Sequence, residues 1–168
     1  MKPEQEPCLV MSQPSNTNGV VVDANVLIAV CANEHGKADT AELAMADYAS
    51  KGWDFYAPNV IIGEVLYVLC QTLHNAELTQ FEYEKSVTVF KNQLRGILLS
   101  PSGESSLVAR AVEIRQGYGC SRSSDSLYIA LAEELAVSGN AELLTFDKGF
   151  INQVAKNAPT VKVNLLPI

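Results

Sequence analysis

The chain has 168 residues, 48% of them apolar, and carries a formal net charge of −7 from 19 acidic and 12 basic side chains. That length and composition suit one globular domain with a full hydrophobic core and exclude a disordered chain. No apolar run could span a bilayer, and the acidic balance lacks the basic footprint usual in nucleic-acid binders, although a formal sum counts acids gathered around divalent cations as free.

The first residues, "MKPEQEPCLVMSQPSNTN", hold three prolines and two glutamates. They read as a flexible tail over 1–18, neither signal nor transit peptide, ahead of a single domain over 19–168. "GVVVD" predicts a buried strand and "NVLIAVCA" a short helix. "HGKADTAELAMADYASKG" spaces Ala41, Ala44, Met45, Tyr48 and Ala49 at three and four, an amphipathic helix. "WDFYAPN" is a short strand stopped by Pro58. "VIIGEVLYVLCQTL" is a strongly apolar helix, and "TQFEYEKSVTVFKNQLRGILL" a longer one that turns into a strand near Ile97 to Leu99. "GESSLVARAVEIRQGYG" predicts a helix ended by its glycines, and "SRSSDSLYIALAEELAVSG" a helix with serine caps and a terminal glycine. "AELLTFD" is a strand, "KGFINQVAK" a helix and "TVKVNLL" a last strand. Strands alternating with helices define an α/β fold with a mainly parallel sheet covered on both faces.

Cys8, Cys31, Cys70 and Cys120 form no C-x-x-C pair, and Cys31 and Cys70 sit in apolar helical surroundings. This pattern predicts a reduced, cytoplasmic protein with buried thiols. His35 and His74 have no partners at metal-ligand spacing and read as surface or helix-end residues.

In parallel sheets, ligands bind beyond the carboxyl ends of the strands. Asp23 ends the first strand and Asp147 ends "ELLTF", with Thr145 two residues earlier. Glu64 is flanked at helical spacing by Val60, Ile61, Tyr67 and Val68, with no lysine or arginine between Ala57 and Gln71 to pair with it. A glutamate there must be protonated, paired or coordinated. Asp125 falls in the first turn of a helix whose core stripe is Leu127, Leu131 and Leu135. Each acid has an ordinary explanation: Asp147 as an N-cap, Asp125 as a first-turn acid favoured by the helix dipole, Glu64 as a satisfied buried acid. One shared cause accounts for all four more simply. Carboxylates crowded in one cleft repel by about 4 kcal/mol per close pair at an effective dielectric of 20. Oxygen-only donors favour hard ions, so magnesium or manganese is the natural counter-charge, and such a site suits phosphoryl transfer or phosphodiester hydrolysis. Arg122, one turn before Asp125, and Lys148, beside Asp147, are the basic residues placed to meet nucleic-acid phosphates; ordinary surface charge is the alternative.

The ordered set "DAN" at Asp23 to Asn25, Glu64 in "PNVIIGEVLYVL", Asp125 in "SSDSLYIALA" and "LLTFDKGF" with Thr145 and Asp147 resembles the PIN-domain family of ribonucleases. The resemblance implies a three-layer α/β/α sandwich and an endoribonuclease using one or two magnesium or manganese ions. It implies that Asp23, Glu64, Asp125 and Asp147 are catalytic, metal-binding acids, and that Asn25 and Thr145 orient them. The wording of "LLTFDKGF" is similar to VapBC-type toxins, which implies an RNA substrate, a homodimer and a small inhibitory antitoxin partner. The chain departs from typical toxins in its tail, its long fourth helix and its acidity. A DNA-directed nuclease could use the same acids, and a PIN-like scaffold could act through partners alone. A response-regulator receiver would need a different order of acids and a late lysine.

Overall fold

The computed structural model describes residues 18–120 and 123–168, so the predicted tail apart from Asn18, with Cys8, lies outside the described residues, as does Arg122. Three consecutive valines make the first strand because the centre of a parallel sheet is buried on both faces and cannot alternate. Val20, Val21 and Val22 of β1 (Gly19–Val22) are fully buried. The other strands are β2 (Asp54–Tyr56), β3 (Ile97–Leu98), β4 (Ala141–Thr145) and β5 (Lys162–Leu165). Their spatial order is β3-β2-β1-β4-β5, and every pairing is parallel.

Among the described residues the helices are α1 (Ala24–Cys31), α2 (Ala38–Ser50), α3 (Ile61–His74), α4 (Gln80–Leu94), α5 (Glu104–Gly117), α6 (Asp125–Ser138) and α7 (Gly149–Asn157). From β1 the chain steps to β2 and β3 on one side, then returns to β4 and β5 on the other. Right-handed crossovers therefore place α1 to α4 on one face and α5 to α7 on the opposite face. The packing agrees, since α1 touches α2, α3 and α4, while α5 touches α6 and α7. The result is an α/β/α sandwich with an entirely parallel sheet. Its order reverses between β1 and β4, the topological switch point where crevices open beyond the strand ends.

Several local expectations are refined. Helix α6 lies across β1 and β4 beneath α5, so it buries the whole stretch from Tyr128 to Ala132 together with Leu135 rather than a narrow leucine stripe, and Leu127 is only half-buried. Ser124 stands at its N-cap position without a side-chain capping bond. A full capping box is found instead at α4, where Thr79 and Glu82 satisfy each other's backbone N–H groups. Cys31 is buried, but Cys70 is exposed, contrary to expectation. Helix α3 buries Ile61, Val65 and Leu69 at a spacing of four, and Cys70 falls outside that stripe. At the far edge, Tyr48 of α2 donates to Glu142 of β4 at 2.5 Å and accepts from Asn164 of β5 at 2.9 Å. No described helix is long and apolar enough to cross a membrane.

Candidate active site

The register of β1 against β4 builds the site. Val22 pairs with Leu144, so the next residue on each strand, Asp23 and Thr145, emerges beside the other. The Asp23 N–H extends the ladder by donating to the Leu144 carbonyl at 3.0 Å. Asp23 occupies the N-cap position of α1, yet its carboxylate makes no capping bond to that helix. It accepts instead from the Thr145 hydroxyl at 2.6 Å. Thr145 Oγ1 also accepts from Asn25 Nδ2 at 3.2 Å and from the Asp147 N–H at 2.9 Å. That hydroxyl thereby uses its one donor and both acceptor positions. Asn25 completes the link between strand ends by accepting the Phe146 N–H at 3.2 Å.

The other acids arrive from helices. Glu64, in the first turn of α3, accepts a hydrogen bond from the phenol of Tyr128 on α6. Asp125 opens α6 and accepts from the side-chain amide of Gln153 on α7 at 2.5 Å. Asp147 follows β4 and accepts the Gly149 N–H at 2.7 Å, although the N-cap position of α7 belongs to Lys148 and not to Asp147. Asp23, Asn25, Glu64, Asp125 and Asp147 all line one open cleft of about 300 Å³. Ile28, Tyr67, Val68 and Phe150 form its apolar side. Thr145 is fully buried beneath. Lys148 is exposed next to Asp147 and does not line the cleft.

Tyr128 and Gln153 were not legible as site residues. Tyr128 sits one turn after Asp125 on a helix that reads as core, and Gln153 lies in a helix with no motif. The signal was indirect: an unpaired Glu64 on an apolar face demands a donor from elsewhere.

A PIN domain pattern matches residues 20–157, spanning all four acids. The chain belongs to the PIN domain family. PIN domains are typically nucleases and generally use divalent metal ions. The fold of this PIN domain is similar to a solved structure described as VapBC2 from Rickettsia felis bound to a DNA fragment from their promoter. The TM-score is 0.55 at 14% identity, covering 89% of this chain and 99% of that one, a likeness of fold. No curated protein sequence matches the chain.

The electrostatics of this PIN domain's cleft are unbalanced. Burial pushes the Asp23 carboxyl up to about 7; the Thr145 hydrogen bond opposes the rise, and the negative charges of Asp125 and Glu64 add to it. Burial, and then the hydrogen bond to Glu64, raise the Tyr128 phenol so far that it stays a donor at any ordinary pH. Among the described residues, none lining the cleft is lysine or arginine. The donor set, all carboxylate oxygen, fits a hard divalent cation. As the side chains stand, however, no three His, Cys, Asp or Glu groups among the described residues are close enough to enclose an ion. Each of the four acids is drawn onto a protein donor, and their mutual repulsion favours separation. Loading would require the carboxylates to close in.

Proposed function

We propose that this PIN domain is a divalent-metal-dependent endoribonuclease, with magnesium or manganese bound by Asp23, Glu64, Asp125 and Asp147. The observation that carries the reading is the convergence of these four carboxylates on one cleft at the switch point, with no lysine or arginine among the described lining residues. A bound divalent ion supplies a Lewis acid for the scissile phosphate and the attacking water.

The chain's own residues hold the acids in place. Thr145 keeps one oxygen of Asp23 engaged, Asn25 braces Thr145 from the start of α1, and Asp147 is anchored to the same hydroxyl through its backbone N–H. Tyr128 holds Glu64 from the opposite helical layer and Gln153 holds Asp125 from within the same layer, so all four acids are positioned by groups outside the cleft lining. Lys148, and Arg122 in the undescribed segment, are the cations proposed to meet RNA phosphates.

The resemblance to VapBC-type toxins supports a further reading: a homodimeric, cytoplasmic toxin restrained by a small antitoxin. The expected organisation, a tail over 1–18 before one domain over 19–168, belongs to the same proposal.

The test is cleavage of a labelled single-stranded RNA with manganese, magnesium or chelator, by the unmodified chain and by Asp23→Asn. Metal-dependent cleavage that Asp23→Asn abolishes supports the reading; cleavage unaffected by chelator or by the substitution overturns it.

A further inference from the structure

Tyr67 is the one large aromatic side chain in the cleft lining that is mostly exposed, at 62%. It lies three residues after Glu64 on α3, so both project from one helix face. Phe150 and Ile28, only 1% and 7% exposed, complete the apolar lining. An isolated exposed tyrosine says little, but this ring stands at the rim of the acid cluster with no hydrogen bond to any described residue.

Its setting poses an affinity problem that the ring can solve. Nucleic acid is usually gripped through phosphates by lysine and arginine. Among the described residues the lining has none, and four carboxylates outweigh one divalent cation and are only balanced by two. Lys37, over the Phe146 ring at 5.8 Å, is already paired with Glu34 at 3.0 Å. Arg115 donates to the Ser123 carbonyl at 2.7 Å. What the cleft offers beside its acids is a neutral wall of Tyr67, Val68, Ile28 and Phe150, and stacking on an aromatic ring is the interaction available to a base there.

We propose that Tyr67 is the stacking platform for an unpaired nucleobase next to the scissile phosphate. The inference rests on the nuclease reading and adds a base-binding subsite to it. A base still stacked in a duplex cannot reach the ring, so the cleft selects single-stranded or looped substrate.

The experiment follows manganese-dependent cleavage of a short fluorescein-labelled single-stranded RNA by the full chain and by Tyr67→Ala and Tyr67→Trp. Manganese affinity is read separately from the metal-induced shift in melting temperature, and mass by analytical ultracentrifugation. Tyr67→Ala should raise KM about tenfold or more, with the change carried mainly in KM rather than kcat, while Tyr67→Trp restores KM. The manganese-induced shift should be the same in all three. An unchanged KM in Tyr67→Ala overturns the platform while leaving the nuclease reading standing. A change of mass that accompanies the rise in KM assigns Tyr67 to a protein contact and also overturns it. Absence of cleavage by the unmodified chain on any RNA, despite manganese binding, removes the nuclease reading and the platform with it.

Discussion

Thr145 donates its hydroxyl proton to Asp23 at 2.6 Å, across two strands whose residues are 122 apart in sequence. Both residues are buried, and the same hydroxyl receives Asn25 and the Asp147 N–H, so one atom joins the two loops that carry half of the acid cluster. Thr145→Val keeps the shape and removes all three bonds. It should destabilise the fold by about 1–3 kcal/mol, because buried partners are left unsatisfied. Thr145→Ser should lose much less. Urea unfolding of the three proteins measures this, and equal midpoints would show that the hydroxyl holds nothing.

Asp23 makes the metal-free protein sensitive to pH. Its carboxyl is raised to about 7 in the fold from an ordinary 3.8, so the folded state holds a proton that the unfolded chain has released. Stability from this group is complete below the unfolded value and is lost as pH rises through about 7. In chelator, unfolding free energy should fall by about 3 kcal/mol between pH 5 and pH 8 through this group, at 1.36 kcal/mol per pKa unit. Asp23→Asn should lack this component, so the difference between the two proteins, measured in urea across pH, isolates it. Parallel pH profiles would contradict the burial of an uncompensated acid.

Divalent cations should reverse that penalty. Because an ion that binds only the folded state stabilises by mass action, manganese at a hundredfold excess over its dissociation constant contributes about 2.7 kcal/mol. For a chain of this size that corresponds to a rise in melting temperature of about 5–10 °C at neutral pH. The rise should shrink in Asp147→Asn and vanish in Asp23→Asn. Scanning calorimetry with manganese, magnesium and calcium makes the comparison, and a melting temperature indifferent to manganese would defeat the metal reading.

Tyr128 tests whether the Glu64 carboxylate is held from behind. Tyr128→Phe preserves the buried ring, including its edge-to-face contact with Phe150 at 6.4 Å, and deletes only the donor. Manganese affinity, by isothermal titration, should weaken about tenfold or more, as for other residues that orient metal ligands. Glu64→Gln should weaken it at least as much. An unaltered affinity in Tyr128→Phe would mean that Glu64 reaches its position without the phenol.

Most of the fold, and the four acids that share the cleft, can be read from residue patterns alone. The valine run could only be a strand buried on both faces, and strand–helix alternation required parallel pairing and helical cover on both sides. Asp23 and Asp147 were legible because both end strands, and Glu64 because an unpaired carboxylate on an apolar face has no local remedy. Tertiary structure decided what holds those acids. The register that puts Val22 opposite Leu144 sets Thr145 beside Asp23, and the assembly of the helical layers at the strand ends brings Tyr128 of α6 to Glu64 of α3 and Gln153 of α7 to Asp125 of α6. Periodicity reports which face of a helix is apolar, but a hydrogen bond between residues dozens of positions apart depends on how elements are stacked, and no local pattern records it. The exposure of Cys70 and Tyr67 has the same origin. Both belong to an apolar stretch, and only the packing of α3 against α1 and α4 turns one stripe inward and leaves Tyr67 at the mouth of the cleft.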